Sequence, residues 1–176
     1  MNRKFFLRQV AAGTAAFVVL NNRLFGQTVQ TLPMNQIQDV PPLPLDLVKE
    51  FVIAGHGNFP KVQAMVKETP NLIFTKFDWG NGDYEAAIEG AGHVGDKEIA
   101  NFLIDQGSRV TLYILTMLGR TELVKPILDA YPRLINAKGP HGFTLLHHAK
   151  MGGKDGEELY VYLQEKGLKE DRVKLR

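Results

Sequence analysis

Gly142-Phe143-Thr144-Leu145-Leu146-His147-His148-Ala149-Lys150-Met151-Gly152-Gly153 is the stretch on which the fold turns. It begins and ends in glycine and encloses a short apolar run. Its small residue, Ala149, lets a neighbouring helix approach closely, and the closing glycine accepts the left-handed backbone conformation with which helices often end. The spacing predicts a short helix followed by a tight turn.

Working outward, two bulkier segments share one layout. In Glu122-Leu123-Val124-Lys125-Pro126-Ile127-Leu128 the apolar side chains fall at i, i+1, i+4 and i+5, which gives a helix one greasy face. Glu98-Ile99-Ala100-Asn101-Phe102-Leu103-Ile104 repeats it. Each copy is preceded by a glycine (Gly95, Gly119) and followed by turn-forming residues (Gly107-Ser108, Tyr131-Pro132). Small residues cluster ahead of these segments, at Ala54, at Ala86, Ala87 and Ala91, and at Ala149. Pro126 falls inside a predicted helix, where it costs up to roughly 3 kcal/mol unless the helix kinks.

These stretches resemble the ankyrin repeat, whose first helix reads Gly-x-Thr-Pro-Leu-His-x-Ala-Ala-x-x-Gly and whose second reads roughly Glu-Val-Val-x-Leu-Leu-Leu. Aligned on the glycine that ends the first helix, Gly57, Gly95, Gly119 and Gly153 are separated by 38, 24 and 34 residues, around the family's period of about 33. The resemblance implies an all-α solenoid of about four stacked helix-turn-helix units over residues 47–168, with one inter-repeat loop shortened so that Val110 runs almost directly into the next helix. The longer step carries extra residues around Trp79-Gly80-Asn81-Gly82-Asp83. One helical pair cannot hide its apolar face alone, so neighbours must stack. At the Thr-x-x-His position the resemblance gives Thr144 and His147 a structural role, the imidazole tying the turn to the Thr144 segment.

Outside the repeats, residues 1–27 join a basic segment (Arg3, Lys4, Arg8) to an apolar run from Val10 to Leu20, the layout of a bacterial secretory signal. A helix of that run is about 16 Å long, too short for a bilayer core of about 30 Å. The basic segment resembles a twin-arginine signal with Lys4 in place of its second arginine, and the general secretory route is open as well. Cleavage is expected after about residue 26. Residues 28–46, with Pro33, Pro41, Pro42 and Pro44, read as an extended linker, and 169–176 as a charged, frayed tail. The expected location is periplasmic or otherwise exported, with membrane contact only during export.

Charge and composition narrow the function. Of 21 basic residues, four precede residue 28 and no Asp or Glu does, so the remainder sets 17 positive charges against 19 negative. Such a body lacks the basic surface that phosphate backbones require, which excludes nucleic acid as a partner. The absence of cysteine removes a thiol nucleophile and a thiolate zinc site. No glycine pattern forms a phosphate cradle between strand and helix, and no serine nucleophile stands in a recognisable setting. An enzyme is not positively indicated, and no cofactor is expected.

The resemblance implies a module that binds another protein through its concave face, with Trp79, Asp83, Tyr84, Glu89, His93, Tyr113 and His141 as contacts. A second reading takes Glu85, Glu89 and His93, spaced by four along one helical face, as a divalent-metal or acid-base set. The group His141, His147 and His148 is a weaker ligand set, because adjacent residues point about 100° apart on a helix. A third reading is an architectural subunit of an envelope assembly.

Overall fold

The computed structural model describes residues 41–175, so the expected secretory segment and most of the expected linker lie outside the described residues. Those residues are mostly helical. From Leu43 onward they contain eight α-helices: α1 (Leu45–Ala54), α2 (Phe59–Glu68), α3 (Ala87–Val94), α4 (Lys97–Asp105), α5 (Leu112–Met117), α6 (Thr121–Ala130), α7 (Leu145–Met151) and α8 (Glu157–Glu165). Short 3-10 turns follow α2, α6 and α7, and another covers Pro140–Gly142. The only strands among the described residues are β1 (Phe77–Asp78) and β2 (Tyr84–Glu85), an antiparallel hairpin between α2 and α3. None of the described helices is long and apolar enough to cross a membrane.

Helix starts follow from local chemistry. Asn58 accepts the Lys61 N–H, Asp96 accepts the Ile99 N–H at 2.9 Å, and Thr144 accepts the His147 N–H, each satisfying a first-turn donor that has no partner within its helix. Gly57, Gly95, Gly119 and Gly153 all have positive φ, the conformation that a residue without Cβ adopts freely. Helix α1 begins at Leu45, two residues inside the expected linker; Pro44 occupies the N-cap, and its ring nitrogen carries no N–H that would need an acceptor.

The helices pack in consecutive pairs, α1 with α2, α3 with α4, α5 with α6 and α7 with α8. The first helices of the pairs also form a row, in which α1 touches α3, α3 touches α5 and α5 touches α7. Helix α3 reaches α7 as well, since α5 is only six residues long and Gly92, lacking a side chain, lies directly against Ile114 and near His148. Every residue of α3 from Ala87 to His93 is buried. One apolar cluster joins α1–α5 through Phe51, Val62, Leu72, Ile88, Ile99 and Leu103, and a second fills α6–α8 through Val124, Leu128, Leu145, Leu159 and Leu163. Helix α5 supplies Ile114 and Met117 to the first and packs Leu112 and Leu115 against the second.

Three local expectations meet the structure directly. Helix α5 starts at Leu112, two residues after Val110. Helix α6 runs through Pro126, and Pro126 and Glu122, whose carbonyl the proline leaves without its helical donor, are both exposed residues. The C-terminal segment is not frayed. Phe143 bridges Arg172, the Val173 N–H donates to the Gly142 carbonyl at 2.8 Å, the Thr144 N–H donates to Asp171 O, and the Thr144 hydroxyl donates to Glu170 O at 2.6 Å. Charge patterning suggested a loose end, but backbone pairing with the 139–144 loop holds it.

Candidate metal centre

Three further segments converge on α3, whose last turn carries His93. Helix α1 ends at Ala54 and Gly55 approaches so near to Ala87 that a Cβ there would collide with the Ala87 carbonyl. This contact carries His56 to α3. Its ring lies over Gly90, where an added Cβ would come within 2.8 Å of the imidazole, so only glycine leaves room. His93, three residues further along α3, stands with its ring centroid 4.7 Å from that of His56.

The hairpin supplies the carboxylate. Gly80, Asn81 and Gly82 all have positive φ and turn the chain between the strands; alternation along β2 then sends Tyr84 outward, 55% exposed, and Glu85 inward, fully buried. Glu85 Oε1 lies 3.3 Å from His56 Nε2 and 3.2 Å from His93 Nδ1, and Oε2 lies 3.3 Å from His141 Nε2. Trp79 donates its indole N–H to Oε2 at 2.8 Å.

His141 comes from the loop before α7 and is held in the left-handed region, φ 58°, uncommon for a residue with a side chain. Asp83 fixes it twice: Oδ1 accepts the His141 backbone N–H at 2.8 Å and Oδ2 accepts the ring Nδ1–H at 2.7 Å. The Arg172 Nε–H donates to the His141 carbonyl at 2.7 Å. The paired C-terminal segment therefore holds this loop in place.

Protonation follows from the partners. His56 Nδ1 lies 3.0 Å from the Val52 carbonyl, an acceptor only, so Nδ1 carries the proton and Nε2 faces Glu85. The Asp83 carboxylate assigns the same tautomer to His141. The Glu85 carboxylate, 3.3 Å from Nε2, raises the His56 pKa above its ordinary value, against the opposing effect of burial. Burial pushes Glu85 upward, but His56, His93 and the Trp79 N–H together outweigh it and hold the carboxyl below its usual range. Burial, reinforced by the neighbouring imidazoles against the pull of Glu85, lowers His93 to about 4.

His56, Glu85, His93 and His141 each present one ligand atom, and these atoms all lie within 4.8 Å of one another. A tetrahedral ion with ligand bonds of about 2.0 Å has edges of about 3.3 Å; Glu85 Oε1 stands at that distance from His56 Nε2 and His93 Nδ1, and His141 Nε2 stands at it from the second oxygen, Oε2. Glu85 Oε1 and His93 Nδ1 are buried without a hydrogen-bond partner although they face each other. Unpaired buried polar atoms are costly, and a cation between them would remove that cost. Three neutral imidazoles and a carboxylate suit zinc and its first-row neighbours; the site has neither the oxygen shell for calcium or magnesium nor the sulfur for soft ions. Its rim is formed by His56 and His141, whose side chains are 28% and 24% exposed, so a small ligand can approach an ion there from that edge.

The residues expected to meet a protein partner divide sharply. Tyr84 is exposed and Trp79 36% exposed. Asp83 and His141 pair with each other, and Glu89 and His93 are buried at 4% and 8% exposure, so these two cannot form an open contact surface. Tyr113 is half-buried, with its ring 5.1 Å from His148, and burial raises its hydroxyl pKa to about 12, aided by the charge of Glu89. The expected helical triad Glu85, Glu89 and His93 is also redistributed. Glu85 precedes the helix, and Glu89 in its first turn bends back to accept the Ala86 N–H at 2.9 Å while pairing with Lys76 at 2.9 Å.

The expected histidine group separates as well. His141 joins the centre, His147 Nε2 donates to the His93 carbonyl at 2.8 Å, and His148 Nδ1 donates to the Thr144 carbonyl at 2.8 Å. His147 thus bridges to α3 instead of binding within its own turn, where His148, at i+4 from Thr144, takes that place. His56 was missed. Its signal is present in the sequence: Ala-Gly-His occurs twice, at Ala54–His56 and Ala91–His93, ahead of Gly57 and Gly95, and units that stack bring equivalent positions together. No protein-family model and no curated protein matches the chain.

Proposed function

We propose that this protein binds one divalent first-row transition-metal ion, zinc foremost, through His56 Nε2, Glu85 Oε1, His93 Nδ1 and His141 Nε2. The observation that carries the reading is the pair of buried, unpartnered atoms, Glu85 Oε1 and His93 Nδ1, 3.2 Å apart. Asp83 and the Val52 carbonyl support it, since ligating imidazoles usually donate their other N–H to a carboxylate or carbonyl. A ligating imidazole nitrogen must be free of its proton, so binding competes with protonation and tightens as pH rises. Elemental analysis of protein purified without added metal, followed by zinc titration calorimetry, tests this. One equivalent is expected in the wild type and none in Glu85→Gln; protein that takes up no zinc, cobalt or manganese would remove the proposal.

The scaffold in this reading is a stack of ankyrin-type units, exported after cleavage of its leader. The row of first helices and the four positive-φ glycines support that assignment. Protein binding is a second proposal, favoured by the exposed Tyr84 beside Trp79 on the hairpin. Tyr84→Ala should weaken capture of a partner while leaving zinc stoichiometry at one, whereas unchanged capture would count against that surface.

A further inference from the structure

We propose that Trp79 fixes Glu85 as a single-oxygen ligand and thereby sets the metal preference of the centre; this rests on the metal reading above. The two oxygens of Glu85 are treated differently. Oε1 is buried and unpartnered between His56 and His93, while Oε2 accepts the Trp79 Nε1–H at 2.8 Å. Oε2 also lies 3.3 Å from His141 Nε2, but that nitrogen carries no proton once it is a ligand, so the indole is then the donor that holds Oε2. An indole N–H is donor-only and neither accepts nor ligates.

The ring is held for this task. Its edge packs against Phe77 at 4.8 Å between centroids, the Lys49 ammonium lies 5.9 Å from its centroid, and the Trp79 backbone N–H donates to Asp83 O at 2.9 Å across the hairpin turn. Filling space does not require tryptophan here, because the residue is 36% exposed and phenylalanine would offer a similar face. What phenylalanine lacks is the N–H aimed at Oε2. The same hairpin thus delivers the ligand Glu85, its restraint Trp79, and Asp83, which orients His141.

The consequence is a coordination number. One carboxylate oxygen and three imidazole nitrogens make a four-coordinate set, suited to zinc, whereas manganese favours six ligands rich in oxygen. Without the indole N–H, Oε2 can turn onto the ion beside Oε1, raising the coordination number and narrowing the preference for zinc. Trp79 is therefore a positioning residue that acts through Glu85.

The test compares the full-length wild type with Trp79→Phe, using cobalt(II) absorption as a probe of geometry and competition between zinc and manganese as a probe of preference. Wild type should show the intense visible bands of four-coordinate cobalt. Trp79→Phe should show the weak bands of higher coordination and a zinc-to-manganese affinity ratio lowered about tenfold or more, in protein that still unfolds in one cooperative thermal transition without metal. The chain has a single tryptophan, so benzothienylalanine, the sulfur isostere without an N–H, can replace it alone and decides the matter if the phenylalanine variant does not fold. Unaltered cobalt bands and an unaltered ratio in the folded variant would overturn the role of Trp79 while leaving the metal centre standing. A wild type that binds neither cobalt nor zinc would overturn the centre itself.

Discussion

At the residue scale, Asp83 holds both the backbone and the ring of a histidine in a strained conformation. Asp83→Asn keeps the shape but removes the charge that makes His141 a stronger ligand. Zinc affinity should fall about 10- to 100-fold, read by competition with a chromophoric chelator, while the metal-free melting temperature moves little. His148 makes a separate prediction. Burial lowers it to about 4, so it is neutral in the folded protein at neutral pH, whereas an unfolded histidine titrates near 6.5. Between those values the unfolded chain binds the extra proton, so stability is full above about pH 6.5 and declines toward pH 4. The raised His56 contributes no slope there, because its contribution is lost only as pH rises through its folded pKa; His93, also lowered to about 4, adds to the decline. His148 accounts for about 3 kcal/mol across this window. Urea denaturation of metal-free protein at several pH values should show a shallower dependence in His148→Asn, whose amide can still donate to Thr144 O.

At the element scale, contacts between helices place the ligands. Helix α3 carries His93, seats His56 over Gly90 and begins just after Glu85. In an exposed helix Gly→Ala stabilises by about 1 kcal/mol, but here the new methyl occupies the space of the His56 imidazole. Gly90→Ala should therefore weaken zinc binding about tenfold or more by displacing a ligand, with a smaller effect on the melting temperature than on affinity, measured by calorimetry on the same sample. The sequence was informative about elements whose periodicity is self-contained. The segments around Leu123 and Ile99 read as one-faced helices and form α6 and α4. Residues 85–93 were misjudged because the i, i+4 spacing of Glu85, Glu89 and His93 presumes a single helix. The hairpin places Glu85 by strand alternation instead, and Glu89 is drawn to the helix start by an otherwise unpaired N–H.

At the scale of the whole molecule, the centre ties together positions 56, 85, 93 and 141, so an ion bound there links the first helical pair to the last. The unfolded chain holds no such site, and the binding free energy therefore adds to folding. Zinc at 100 times its dissociation constant should stabilise the protein by about 2.7 kcal/mol, seen as a rise in melting temperature that EDTA reverses. Glu85→Gln should show neither the rise nor the reversal.

The sequence by itself determined the helices with strong apolar periodicity, the glycines at their ends, and the division of charge between residues 1–27 and the rest of the chain. These depend on interactions within a few residues, where propensity and spacing act directly. The cluster of His56, Glu85, His93 and His141 was decided only by the tertiary structure. Its members come from a helix end, a strand, a helix interior and a left-handed loop, and no local rule relates their spacing. Their few-ångström separations arise from glycines that let backbones approach and from a C-terminal segment that pairs with the His141 loop, both products of packing across the chain.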